Sequence, residues 1–330
     1  MTESSQTVGN YEFLGVVDKP KAGVTYKVRN LTTGEFETLR ALPGASYGDP
    51  ESLRRFLREI KIHTRLSHPN IVMFHDALEL DGHLVMTAEF VEGTTLAELC
   101  RRSPMPPGQA IQAICDVLSG LEEAHALGIV HRGITAEHVM VTRDGVVKLG
   151  GFGLAKPTYD LNLTQAGAVL GDVRYISPEQ VMGADLDARS DLYSVGVLLF
   201  HALTGRLPFD FANDFDVMAA HIGTEPPRLS SLTPEIAPEL ERIVLTALAK
   251  KPEERFMGAK EFRTALEALK DTVTEVTPPA APVDAIPEVA APQFLAQAEA
   301  RAPDRIMVAL GYAGVVAGLI ILFLMAMRRA

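Results

Sequence analysis

Residues 306–327 read IMVALGYAGVVAGLIILFLMAM, 22 positions without a charged side chain. A helix of that length spans roughly 33 Å, enough to cross a hydrocarbon core of about 30 Å. Soluble helices this long keep a polar face, so the run predicts a transmembrane helix rather than a buried core helix. Whatever folds as a globule must then come from the residues before it. Arg301 and Arg305 precede the run and Arg328 and Arg329 follow it, too balanced a set to orient it by the positive-inside rule. The start, MTESSQTVGN, has no apolar run and does not read as a signal peptide. With a short basic tail (328–330) beyond the span, the expectation is a single-pass protein of the cell (inner) membrane, its large N-terminal part in the cytoplasm. Gly314 and Gly318 form a GxxxG pair, a pattern that lets two helices approach closely and would serve a homodimer; small residues are also common in single spans.

Composition supports a sizeable core in the remainder: 47% of residues are hydrophobic and 22% charged. A net charge of −11 excludes a general nucleic-acid binder, which needs a basic footprint. Cys100 and Cys115 make no disulfide framework and read as reduced, partly buried thiols. Residues 271–305 are rich in Pro and Ala with scattered acids and read as a flexible linker. Its ~30 residues reach at most about 90 Å if polyproline-like. Residues 1–10 are expected to be disordered.

Between these ends, residues 11–270 change character once. YEFLGVV, VTYKVRN and EFETLRAL are strand-like runs separated by turn signals at 18–20 and 32–34. One helical pattern, PESLRRFLREIKIHTRL, interrupts them and sets Leu53, Phe56, Leu57, Ile60 and Leu66 mostly on one face. After about Glu92 the patterns are mainly helical: IQAICDVLSGLEEAHALG, DLYSVGVLLFHALTG and PELERIVLTALAK show i, i+3, i+4, i+7 apolar spacing. The expected fold class is α+β: a small β-rich lobe (about 11–91), then a larger helical lobe (about 92–270).

Two short stretches carry the chemistry. HRGITAEHVMV (131–141) resembles H-R-D-x-x-x-x-N, and KLGGFGLAK (148–156) resembles a segment built on D-F-G. With them, in order, come LSHPNIV (66–72), EFVEG (89–93), SPE (177–179), DLYSVG (191–196) and KPEERF (251–256). Together these resemble a bacterial, eukaryotic-like (Hanks-type) Ser/Thr protein kinase domain over residues 11–270, with a bilobal fold. The resemblance implies a buried ion pair between Glu179 and Arg255. It implies that Asp191 accepts backbone hydrogen bonds from the loop around His131 and Arg132. It also implies an internal spine of His131, Phe152, Phe74 and His63, with Gly153 kept beside Phe152.

The chemical positions of the family depart from its pattern. Gly133 stands where an aspartate orients the substrate hydroxyl, and Thr135 where a lysine steadies the γ-phosphate. His138 replaces the asparagine of the second magnesium, a metal that prefers oxygen ligands. Gly151 replaces the aspartate of the other magnesium. Phosphoryl transfer is almost entirely positioning and charge stabilisation, so these losses remove its working parts. The nucleotide positions are vestigial too. Gly15 and Gly23 match the phosphate loop, but VVDKPKA between them is three residues too long and carries Pro20. Arg40 replaces the strand lysine, keeping its charge and its prospect of pairing with Glu59 but not the same phosphate geometry. Thr25 and Thr38 replace apolar residues around the base, Ala88 stands at the gate and Glu89 opens the hinge.

The resemblance thus implies a degenerate member, a membrane-anchored pseudokinase acting as scaffold or allosteric partner of other signalling proteins, an active kinase among them. No cofactor or metal is expected, ATP with or without magnesium being the alternative. Rival readings are a weak or unconventional ATP-dependent kinase, which would recruit Glu122, Glu123, Glu137 or Asp144, and a nucleotide sensor without turnover. Thr158 and Thr164, in the segment matching the activation loop, are candidate phosphorylation sites within reach of Arg132.

Overall fold

The computed structural model of the chain describes residues 6–18, 24–42, 50–157 and 172–270. The linker, the apolar run with its Gly314–Gly318 pair, the tail, Gly23, Thr158 and Thr164 lie outside these residues. Among the described residues no helix is long and apolar enough to cross a membrane.

The smaller lobe is an antiparallel sheet of β1 (Gln6–Val8), β2 (Tyr11–Asp18), β3 (Thr25–Asn30), β4 (Phe36–Ala41), β5 (Phe74–Leu80) and β6 (His83–Glu89). Their order is β1-β2-β3-β4-β6-β5. Period-two alternation builds the core: Tyr26 and Val28 of β3 and Leu39 and Ala41 of β4 are buried on one face with Tyr11, Phe13 and Val85. Thr25, Lys27, Thr38 and Arg40 alternate with them on the other face. The expectation of disorder before residue 11 fails from Gln6 onward. Gln6, Thr7 and Val8 pair with Phe13, Glu12 and Tyr11 through a turn at Gly9 and Asn10. Gly9 adopts φ +56 there, and an added Cβ would lie 2.7 Å from Leu80, so the turn needs glycine.

Helix α1 (Pro50–His63) lies between β4 and β5 in the chain. Its buried side is not quite the one the spacing suggests. Phe56 and Ile60 pack with Leu42, Leu84 and Met86 under the sheet, and Glu59, Ile62 and His63 are also buried. Leu57 is 41% exposed, because the helix turns Glu59 and His63 inward and leaves residue 57 on its outer side.

The larger lobe holds β7 (Gly93–Thr95), α2 (Leu96–Arg102), α3 (Pro107–Ala126), β8 (Ile129–Val130), β9 (Val139–Thr142), β10 (Val147–Leu149) and β11 (Lys156–Pro157). Then follow α4 (Pro178–Val181), α5 (Ala188–Thr204), α6 (Asp214–Gly223), α7 (Leu229–Leu232), α8 (Pro238–Ala247) and α9 (Ala259–Glu267). Helix α5 is buried nearly all round, with Tyr193 and Phe200 fully covered. It is the central post of a core shared with α3, α8 and α9. Its close packing explains Gly196: a Cβ there would lie 2.8 Å from Ala247 of α8.

The lobes are stitched by residues 70–72. Leu149 N–H donates to Asn70 O at 2.9 Å and Val72 N–H to Leu149 O at 3.0 Å. The Asn70 side chain adds a bond to Val147 O at 2.9 Å. This anchors the chain leaving α1 onto β10, directly before the glycine-rich segment 150–153.

Candidate functional site

The cleft between the lobes is lined by the loop after β8 and the segment after β10. Asp191, in the first turn of α5, organises the first of these. Its Oδ2 accepts from His131 N at 2.8 Å and its Oδ1 from Arg132 N at 2.8 Å. His125 Nε2, from the end of α3, donates to Oδ2 at 2.8 Å. Burial alone raises the Asp191 pKa, but the His125 bond, the nearby imidazoles and the backbone donors outweigh it, so the carboxylate titrates below its usual range. Arg132 takes φ +64, a strained value for a long side chain, inside this hydrogen-bonded frame.

His131 is fully buried, and its two ring nitrogens have opposite partners. Gly150 O, a pure acceptor, lies 2.8 Å from Nε2, and Gly133 N–H donates to Nδ1 at 3.2 Å. The ring is therefore the neutral Nε2–H tautomer. Burial, with Asp191 opposing, lowers its pKa to about 4. Its ring lies 4.4 Å from that of Phe152, which lies 5.7 Å from His63, itself 6.1 Å from Phe74. The four form a continuous aromatic column linking the loop, segment 150–153, α1 and β5. His63 is also held neutral, burial lowering its pKa to about 4 against the pull of Glu59.

Arg40 of β4 pairs with Glu59 of α1, and Arg40 Nη2 reaches Met86 Sδ at 3.1 Å. The guanidinium also lies 5.5 Å from the Phe56 ring centroid. This fixes α1 against the sheet. An added Cβ on Gly153 would lie 3.2 Å from the Glu59 carboxylate, so Gly153 is what lets the segment approach that pair.

Gly133, His138 and Gly151 are neighbours. Gly133 is buried, and a cavity of about 10 Å³ beside it is lined by Arg132, Thr135, Tyr175, Gln180 and Ser194, among others. That is room for roughly one water. His138 Nδ1–H donates to Gly133 O at 2.7 Å. The His138 ring lies over Gly151: a Cβ there would sit 2.4 Å from its Cγ. Gly151 has φ +78. Thr135 is buried, and its carbonyl accepts from His138 N at 3.1 Å.

The nucleotide-side positions share one face of the sheet. Gly15 lies in β2 opposite Lys27, next to a register shift after Phe13. Thr25 pairs with Arg40, and Thr38 with Ala88, whose carbonyl accepts from Thr38 Oγ1 at 3.3 Å. Glu89 turns its carboxylate to Lys148 Nζ at 2.7 Å and Met73 N at 2.7 Å, a hinge brace. Lys27 sits over the rings of Phe36 at 4.6 Å and Phe90 at 4.1 Å beside that hinge. Of the acids offered as substitutes, none lines the cavity at Gly133. Glu122 is bound by Arg263 at 2.8 Å, Glu137 is exposed beside Arg101, Asp144 lies in the exposed turn after β9, and Glu123 stays on α3.

Behind the site, Glu179 and Arg255 form a buried bidentate pair at 2.7 and 2.8 Å. Arg255 also donates to Ala249 O, Lys250 O and Arg189 O, and its guanidinium lies 4.8 Å from the Tyr193 ring centroid. Burial pushes the Glu179 pKa up, but the guanidinium outweighs it and holds the carboxylate below its ordinary range. Sequence reasoning passed over His125 and Gln180. Gln180 completes a capping box with Ser177 and donates from Nε2 to Arg132 O at 2.9 Å. Its S-x-x-Q spacing signals the cap; nothing local marks His125. Cys100 and Cys115 are both buried, their thiols pushed up to about 12 and about 11, mainly by burial.

Comparison with known proteins fits this architecture. Residues 11–268 match the family described as protein kinase domain, and the chain belongs to that family. It is 38% identical over 280 residues to the probable serine/threonine-protein kinase SCO3848 of Streptomyces coelicolor, covering 82% of this chain and 41% of that protein. It is 35% identical over 271 residues to the serine/threonine-protein kinase pkn3 of Myxococcus xanthus, covering 78% and 50%. It is 35% identical over 234 residues to PknL of Mycobacterium tuberculosis, covering 71% and 59%. The chain thus spans about half the length of these curated relatives. Among solved structures, a kinase domain of PknI from M. tuberculosis superposes with TM-score 0.65 at 28% identity, covering 83% of this chain and 100% of that domain.

Proposed function

We propose that the chain is a membrane-tethered pseudokinase: a protein-kinase domain that binds other signalling proteins, as scaffold or allosteric partner, without ordinary Mg-ATP phosphotransfer. One observation carries this reading. The carboxylate and amide positions of the reaction hold Gly133, His138 and Gly151, and the His138 ring lies in the space a side chain at 151 would need. A base and two metal ligands are what this chemistry requires, and glycine supplies neither a proton acceptor nor a ligand. The arginine at position 40 gives the same direction of support. Tethering rests on the uncharged run 306–327 alone.

A second reading is favoured by the relatives, which are named as Ser/Thr kinases: phosphotransfer persists in a weak, unconventional form. A third is a nucleotide sensor without turnover. A thermal-shift series with ATP, alone and with magnesium or manganese, separates them. Ligand at 100 times its dissociation constant stabilises a fold by about 2.7 kcal/mol. The pseudokinase reading expects no metal-dependent shift and no radiolabel transfer to itself or to a basic protein substrate. A metal-dependent shift with transfer establishes the kinase instead; a shift without transfer, the sensor. Deleting residues 306–327 is expected to release the protein from membranes, read by fractionation in high salt.

A further inference from the structure

Gly133, His138 and Gly151 behave in the structure as one unit rather than as three separate losses. His138 Nδ1–H donates to the Gly133 carbonyl at 2.7 Å. Its backbone carbonyl accepts from Gly150 N at 2.8 Å, so the same residue holds both halves of the site. Its imidazole Cγ, Cδ2 and Nδ1 lie 2.4, 2.6 and 2.7 Å from where a Cβ on Gly151 would stand. Real Cβ atoms do not approach ring atoms so closely, and backbone rigidity on both sides leaves little room to yield. His131 bonds Gly150 O and receives Gly133 N–H, so loop and segment are already clamped around His138. The left-handed conformation of Gly151 is one that Asp and Asn tolerate among L-residues. What excludes a side chain at 151 is therefore the imidazole, not the backbone alone.

We propose that His138 is a positioning residue that replaces the missing metal ligands structurally: its ring fills the space over Gly151 and its Nδ1–H ties the Gly133 carbonyl. The ring thus packs loop 131–138 against segment 150–153, which the Gly150 N–H bond to His138 O already joins, while the Nδ1–H bond holds the loop that carries the ring. The proposal holds whether or not phosphate is transferred, and it orders the three positions. A side chain at 151 is admitted only after His138 is changed. The assembled cleft does not depend on divalent cations.

The test is a double-mutant cycle on the full 330-residue chain in mild detergent, with Gly151→Ala and His138→Ala alone and together. The loss of thermal midpoint caused by Gly151→Ala is expected to be larger with His138 present than with alanine at 138, by at least roughly 2–4 °C. Backbone strain at 151 is common to both arms and cancels. If Gly151→Ala alone fails to fold while the double variant folds, the coupling is shown more strongly. Equal losses in both backgrounds would overturn the steric part.

The hydrogen bond has its own readout. Amide exchange of residues 148–155, measured without nucleotide, is expected to speed up in His138→Leu, which keeps bulk but no donor. It is expected to return toward the parent rate in His138→Asn, which can donate to Gly133 O. Exchange in α8 and α9 should not change, and EDTA should leave the parent rates as they are. Identical exchange in the Leu and Asn variants, or an EDTA effect on the parent, would overturn the proposal.

Discussion

The base of the helical lobe is held by a buried ion pair, whereas in the cleft above it an imidazole lies between two glycines. At the base the ion pair is fully matched: Glu179 and Arg255 are bidentate, and Arg255 satisfies three carbonyls besides. In the cleft, Gly133, His138 and Gly151 hold no ion pair; they meet through the His138 Nδ1–H bond to Gly133 O and through the ring lying over Gly151. The contrast follows from cost. A buried charge with all its partners in the same chain is stable, and removing one partner strands the other. Removing one partner at the base therefore strands a buried charge, a cost that the neutral contacts among Gly133, His138 and Gly151 do not carry.

The largest expected effect of a single substitution breaks the base. Arg255→Ala leaves Glu179 buried and unpaired and is expected to cost about 3–5 kcal/mol, read by urea unfolding of the purified chain. A loss below about 1 kcal/mol would mean that the lobe is braced elsewhere. Asp191→Ala comes next. It removes a charged acceptor from two backbone N–H groups and His125, and about 2–3 kcal/mol should be lost, with amide exchange at His131 and Arg132 sped up.

Acid sharpens the comparison from the other side. His63 and His131 are neutral in the fold, their pKa values lowered to about 4. A depressed histidine pKa means that the unfolded chain binds more protons as pH falls below about 6.5. Stability is then full above that pH and is lost on the way down to 4, by up to roughly 1.4 kcal/mol per pH unit for each such histidine. Glu179 and Asp191, with lowered pKa values, add to the loss at still lower pH. A flat unfolding midpoint from pH 6.5 to 4.5 would contradict the buried neutral rings. The smallest effect is on the surface. Arg263 bridges Glu122 and Glu267 in partly exposed pairs, and Arg263→Ala should cost only about 0–1 kcal/mol. The ratio of this loss to that of Arg255→Ala measures what burial adds.

Much of this was legible in order along the chain. Alternation in β3 and β4 and the helical spacing of α3, α5 and α8 mark elements whose one-sided burial the residue types dictate. The ordered motifs identify the lobes, and they place residues 133, 138 and 151 in the two segments that line the cleft between them. The misreadings came where local pattern met a tertiary partner. Leu57 falls on an apolar stripe but faces outward, because Arg40 and the aromatic column draw Glu59 and His63 in. Residues 6–10 look featureless, yet β2 offers them an edge to pair with. Local sequence, then, determined the fold, since it depends on residue type and spacing. That the His138 ring lies over Gly151 and its Nδ1–H bonds Gly133 O was decided only in three dimensions, where a ring from one loop meets a glycine from another.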